Sequence, residues 1–186
     1  GINWDKEIFN QSNQIKRHQE IASVLLKKKL AFKCICTKEE LDERRKDKTN
    51  LFNKKRLCFD CENNDEIQNS KKDYTVRIKI PLHDSIIIKD IVQGDIEVQN
   101  KEIDNFILLR KDGSPTYMLS VVVDDFDMNV NMIIRGDDHL NNSFRQIYIY
   151  KHMNWTIPSY AHIPLIHGED GAKLSKRHGA VDIKEF

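Results

Sequence analysis

No apolar run in the chain approaches the roughly 20 residues a helix needs to cross a bilayer, which excludes a membrane-spanning helix. No basic-then-apolar leader stands at its start. Net charge is also scarce, with 30 Lys and Arg against 29 Asp and Glu. A field over the whole molecule therefore does not mark a nucleic-acid binder, and any such surface must be a local patch. Cysteines are few, and the scatter of a disulfide framework is missing. All four (Cys34, Cys36, Cys58 and Cys61) fall in one window. Clustered cysteines in a Lys- and Glu-rich chain of cytosolic appearance favour metal ligation over disulfides. Neither a Ser-His-Asp set nor a carboxylate dyad stands out, and no His-x-Gly-His sequence occurs.

What is present suits a globular protein: 39% hydrophobic and 32% charged residues over 186 positions, enough for one domain or a domain with an insertion. The chain begins at Gly1 and stops at Phe186. Neither end resembles a natural terminus, and the expectation is an internal segment of a longer protein.

Residues 1–13 are polar, with Trp4 and Phe9 as packing anchors. From Gln14 to about Lys29, apolar residues at Ile15, Ile21, Ala22, Leu25 and Leu26 predict an amphipathic helix with Lys and Arg outside. Its terminal Lys27, Lys28 and Lys29 suit a helix C-terminus. Its basic face is either merely solvated or turned toward RNA. Thr37 followed by Glu39 and Glu40 predicts a capped, acidic helix start for the stretch Lys38 to Lys48. That helix separates Cys34-Ile35-Cys36 from Cys58-Phe59-Asp60-Cys61. Four thiolates in two close pairs make a tetrahedral zinc site that would staple the helix ends; the alternative is four reduced thiols, some simply buried.

Tyr74, Val76, Ile78 and Ile80 alternate with Thr75, Arg77 and Lys79, predicting a half-buried strand closed by Pro81. Strands are also expected over Ile86 to Val92, Asp95 to Val98 and Phe106 to Arg110. Turns fall at Gly94 and at Lys111 to Pro115. Residues from about 33 to 115 thus read as a small α+β unit, an insertion in a larger fold.

After Pro115 the pattern changes. Tyr117 to Asp125 is apolar and ends in two acids. A short strand, Met132-Ile133-Ile134, runs into Arg135-Gly136-Asp137-Asp138-His139. A helix from Asn141 to Met153 then turns Phe144, Ile147 and Tyr148 inward, and a strand from Ala161 to Ile166 follows. Strand, polar loop, helix, strand, polar loop is parallel α/β architecture, whose ligands bind where strands end in loops. The last loop, Gly168 to Arg177, is punctuated by glycines and holds Lys173, Lys176 and Arg177 around Ser175. A loop of that kind can close over a polyphosphate and bring ammonium groups to charge developing on phosphoryl oxygens. Arg135 at a strand end can grip a carboxylate bidentately, unless it is spent on an ion pair with Asp137 or Asp138.

Several motifs are more specific than this. Lys173-Leu174-Ser175-Lys176-Arg177-His178-Gly179-Ala180 resembles the second signature of class I aminoacyl-tRNA synthetases in its glutamyl form. Val122-Val123-Asp124-Asp125, Ile134-Arg135-Gly136-Asp137-Asp138-His139-Leu140 and Ala161-His162-Ile163-Pro164-Leu165-Ile166 resemble that family too, in order and at matching separations. Cys34-Ile35-Cys36-Thr37-Lys38-Glu39-Glu40-Leu41 is similar to its zinc-bearing acceptor-stem region. The resemblance implies an α/β fold: the second half of a Rossmann-type catalytic domain plus an α+β insertion that binds the tRNA acceptor stem. Residues 1–11 would end the first Rossmann half, 12–115 would form the insertion, and 116–186 would form the second half with its Lys-Leu-Ser-Lys-Arg loop. The family's first signature, of His-Ile-Gly-His type, and its anticodon-binding region would lie outside this segment, which alone would be inactive.

By that resemblance Tyr117 and Arg135 would contact L-glutamate. Asp138 would lie by the ATP ribose, Leu165 and Ile166 would offer backbone groups to adenine although their side chains are core, and Lys173 and Lys176 would sit on the phosphates. Two departures stand out: His139 replaces an aromatic such as Trp, and the last cysteine pair is Cys-x-x-Cys where some relatives have Cys-x-His. The implied reaction is ATP-dependent ligation of L-glutamate to tRNA(Glu) through a glutamyl-adenylate, with Mg²⁺ on the phosphates and Zn²⁺ on the cysteines, by a cytoplasmic monomer. Positioning and cationic stabilisation would supply the catalysis, with no side-chain nucleophile. Rival readings are a shortened paralogue that glutamylates a tRNA base, a glutaminyl enzyme, and a zinc-stapled RNA-binding module without catalysis.

Overall fold

The computed structural model describes residues 8–46, 58–70 and 73–167. Trp4, Lys173, Ser175, Lys176 and Arg177, all singled out from the sequence, lie outside the described residues.

A single 3₁₀ turn capped by Asn10 leads into helix α1 (Ile15–Lys27). Its inward face is His18, Ile21, Ala22 and Leu25, the i, i+3, i+4, i+7 spacing of a helical stripe. Ile15, expected inside, is exposed, and the fully buried His18 takes part of its place. Strand β1 (Ala31–Cys34) follows, then helix α2 (Lys38–Lys46). Here the expected cap forms as a reciprocal pair. The Glu40 N–H donates to Thr37 Oγ1, and the Thr37 N–H donates to Glu40 Oε2 at 2.8 Å, so two otherwise orphaned donors are satisfied. Two short helices, α3 (Phe59–Glu62) and α4 (Asp65–Asn69), precede strand β2 (Thr75–Ile78).

Next come strands β3 (Ser85–Asp90), β4 (Gly94–Gln99) and β5 (Ile107–Leu109), then helix α5 (Tyr117–Asp127). Strand β6 (Met132–Gly136), helix α6 (Leu140–Met153) and strand β7 (Ser159–Ile163) complete the described chain. Four strands stop short of their expected ends, β2 at Ile78 and β5 at Leu109 among them. The last strand closes at Ile163 rather than Ile166, since Pro164 brings no N–H to a ladder. The Ile86 to Val92 strand ends at Asp90, whose carboxylate Oδ1 accepts the N–H groups of Val92 and Gln93 and turns the chain.

The strands make two sheets. One is antiparallel, in the order β1-β2-β5; the other has the order β4-β3-β7-β6. In the second, β3 and β4 form a hairpin, while β3 with β7 and β6 with β7 are parallel. The hairpin at residues 85–99 therefore shares a sheet with the strands that follow residue 115. One core runs behind both sheets, from Leu25 and Ile78 through Leu119 and Val123 to Ile147 and Tyr160. Helix α5, packed against β5, lies beside α6, which covers one face of the mixed sheet. On its opposite face Ile87, Ile134 and Ile163 are exposed.

Candidate active site

Because β6 and β7 run parallel and in register (Arg135 beside His162, Gly136 beside Ile163), their carboxyl ends open at the same edge. The loops leaving them are in contact. A Cβ on Gly136 would meet Asp138 Oδ1 at 2.6 Å and Leu165 Cδ2 at 3.1 Å, side-chain ends from the two loops that crowd the same backbone position. Arg135, Gly136, Asp138 and Leu165 thus meet at one edge. Tyr117, on the first turn of α5, joins them: its ring centroid lies 6.4 Å from that of His139.

Arg135 points under α6 and is partly exposed. Its Nε–H donates to His162 Nε2 at 3.2 Å, and its Nη2 donates to Ser143 Oγ at 2.6 Å and Gln146 Oε1 at 2.8 Å. No salt bridge joins it to Asp137, and among the described residues Nη1 has no hydrogen-bond partner. One edge of a rigidly held guanidinium is therefore uncommitted, and it can take a carboxylate. Around it the Tyr150 and Tyr160 hydroxyls and Gln146 Nε2 are buried without a partner among the described residues. Burial raises the pKa of both tyrosines, so they remain neutral donors. Burial also raises that of Asp125, helped by the charge of Asp124.

His162 is fully buried, with Nδ1 2.6 Å from Asp90 Oδ2. Burial alone would raise the Asp90 pKa. The N–H of Gln93, the His162 ring and backbone, and the N–H of Val92 outweigh it and hold the carboxyl at about 2. Asp90, His162, Ser143 and Gln146 had no assigned role from sequence. Asp90 and His162 stand 72 residues apart, and only the parallel β3–β7 pairing joins them.

Asp138 is exposed at the same edge. Leu165 is partly buried, but Ile166 is 73% exposed, which corrects the expectation of a core side chain; beyond the end of β7 it has no sheet neighbour to cover it.

The cysteines form a second site. Cys34 closes β1, Cys36 follows two residues on, Cys58 immediately precedes α3, and Cys61 lies within it. Cys34 Sγ and Cys58 Sγ are 3.3 Å apart, and Cys36 Sγ and Cys61 Sγ 3.4 Å. The sulfurs of Cys34, Cys36 and Cys58 all lie within 4.8 Å of one another. A tetrahedral Zn–S shell with bonds of about 2.3 Å puts sulfurs ~3.8 Å apart, so the set fits. Cys61 reaches it through Cys36. Phe32 and Leu41 seal the cluster, and Gln68 ties it by accepting from the Lys33 N–H and donating to the Cys61 carbonyl. The hydrogen bond shared by the Cys34 and Cys58 sulfurs, with the nearby Arg77 charge, holds Cys34 down at about 4, and the same bond pushes Cys58 up. Burial pushes Cys36 up to about 12.

Residues 1–185 match the family model described as tRNA synthetases class I (E and Q), catalytic domain. The chain is 48% identical over 186 residues to the glutamate–tRNA ligase of Magnetococcus marinus and 49% identical over 187 residues to glutamate–tRNA ligase 2 of Zymomonas mobilis. All of the chain is covered in both matches, but only 39% of each relative. It thus spans about two fifths of the length of the curated relatives it matches. Among solved structures, the glutamate-tRNA synthetase of Elizabethkingia anophelis superposes with a TM-score of 0.78 at 28% identity, over 91% of this chain and 37% of that one. A glutamate tRNA ligase from Elizabethkingia meningosepticum, in complex with its amino acid, superposes at 0.79 with 27% identity, over 95% of this chain and 38% of that one.

Proposed function

From the premise that the chain belongs to the class I tRNA synthetases of the glutamate and glutamine type, we propose that it is the part of a glutamate–tRNA ligase that grips the amino acid and the ATP. The overall activity is ATP-dependent ligation of L-glutamate to tRNA(Glu). The glutamate α-carboxylate attacks the α-phosphorus of ATP, pyrophosphate leaves, and the acyl group of the glutamyl-adenylate passes to the terminal ribose of the tRNA. Arg135 and Tyr117 hold glutamate. Asp138 and the backbone at Leu165 and Ile166 hold the nucleoside, and Lys173 and Lys176 the phosphates. Residues 12–115 cradle the acceptor stem, their hairpin at 85–99 seated in the sheet of the catalytic half at 116–186; residues 1–11 close the first half. Mg²⁺, when bound, neutralises phosphate charge, and zinc on Cys34, Cys36, Cys58 and Cys61 would fix β1 to α3. The protein acts as a cytoplasmic monomer.

The observation that carries this reading is the contact between the two strand-end loops at Gly136 and Leu165, beneath an arginine with a free edge. A purely RNA-binding module needs neither. Chemistry by positioning and charge stabilisation suits a site of Arg, Tyr and backbone groups. The test is Lys176→Ala in the full-length protein. We expect pre-steady-state adenylation to fall about a hundredfold or more, while ATP binding by calorimetry weakens far less. Equal losses in both would contradict the assignment. Absence of any heat with ATP would favour the RNA-binding module.

A further inference from the structure

The guanidinium of Arg135 is oriented from behind by a buried histidine that has no part in the chemistry proposed above. Three elements converge there: His162 from β7, Arg135 from β6, and Asp90 from the end of β3. His162 Nδ1 lies 2.6 Å from Asp90 Oδ2, and the Asp90 carboxylate also accepts the His162 backbone N–H at 3.1 Å. An ionised carboxylate can only accept, so Nδ1 carries a proton, and the neutral ring then keeps its lone pair on Nε2. The Arg135 Nε–H, which can only donate, points at that lone pair from 3.2 Å. Ser143 Oγ lies 3.0 Å from the same nitrogen and accepts from Arg135 Nη2. The Tyr160 ring stacks on the imidazole with centroids 5.8 Å apart, fixing its plane.

We propose that His162, locked in its Nδ1–H tautomer by Asp90, is a positioning residue that occupies the Nε edge of Arg135 and so presents the Nη1 edge to the substrate carboxylate. The inference rests on the glutamate role given to Arg135 above. A guanidinium offers several donor pairs, and with Nε and Nη2 engaged from behind, only one edge remains for an incoming acid. Without the acceptor on His162, Nε would compete for the carboxylate and the bound amino acid would sit in more than one pose.

Two amide substitutions separate the halves of the device. His162→Asn keeps an N–H near Nδ1 for Asp90 but offers no acceptor to Arg135. His162→Gln can place a carbonyl oxygen near Nε2 and loses the bond to Asp90. In the full-length protein, His162→Asn should raise the KM for glutamate about tenfold, the loss of one charge-assisted hydrogen bond, with the KM for ATP unchanged. His162→Gln should stay within about threefold of the parent. Equal effects of the two variants on glutamate, or none, would overturn the proposal; a fall in melting temperature alone would not produce the split. Long-range ¹H–¹⁵N spectra of the unaltered protein labelled at histidine and arginine supply a second arm that no misfolded variant can spoil. They should show His162 protonated on Nδ1, and a proton on Nε2 would overturn the proposal equally. If instead Arg135→Ala leaves the glutamate KM untouched while the spectra show the expected tautomer, the ligase assignment of Arg135 fails and the histidine–arginine bond stands.

Discussion

Asp90 gathers hydrogen bonds from Val92, Gln93 and both the backbone and the ring of His162, and its ionisation ties stability to pH. Its folded pKa of about 2 lies below the ordinary carboxylate value of about 3.9. A depressed carboxyl adds stability that is fully present above the ordinary value and is lost as pH falls toward the folded one. The melting temperature should therefore drop steeply between about pH 4 and pH 2, and Asp90→Asn should flatten that drop while lowering the plateau near neutrality; calorimetry across that range checks both. The place of Arg135 at a strand end was legible in the sequence because the apolar run Met132-Ile133-Ile134 leads straight into it. Asp90 and His162 were not, because nothing local links an acid at the end of one strand to a histidine 72 residues later. The thiols were legible as a set. Their arrangement, three sulfurs mutually close and Cys61 reached through Cys36, needed coordinates.

Elements were read best where the pattern was purely local. The alternation from Tyr74 to Ile80 buries Val76, Ile78 and Ile80 as expected, and the Thr37 cap forms. Less visible was α5, where Val121-Val122-Val123 carries three β-branched residues that favour extended backbone. Packing of Leu119, Val122 and Val123 into the common core overrides that preference. Where the β3–β4 hairpin would pair lay beyond any local reading, since its parallel partner comes from β7. Its turn depends on Gly94, with φ of +79° and only open space where a side chain would begin. Gly94→Ala should cost about 1 kcal/mol through backbone conformation alone, as a shift in urea midpoint without a change of slope. At the other sheet, Cys58→Ser should abolish zinc retention through gel filtration, measured by mass spectrometry, and increase proteolysis near α3 while β6 and β7 stay intact.

At the scale of the molecule, one continuous core makes the cost of a substitution depend on which side of the mixed sheet it falls. Leu119 is fully buried between α5 and that core, and Leu119→Ala should destabilise by about 2–5 kcal/mol. Ile134, on the opposite face and exposed, should change stability by less than about 0.5 kcal/mol when replaced by alanine. Denaturant melts of the two variants side by side would expose a contrary ranking.

The hairpin that borrows its neighbour from β7 also constrains the timetable of synthesis. Ribosomes release residues 85–99 long before residues 159–163, so in the nascent polypeptide the aspartate at the end of β3 is hydrated and its strand has a vacant flank. A translation intermediate arrested before Ile163 leaves the tunnel should be cut by protease within that hairpin. One arrested further downstream, with β7 clear of the exit, should resist.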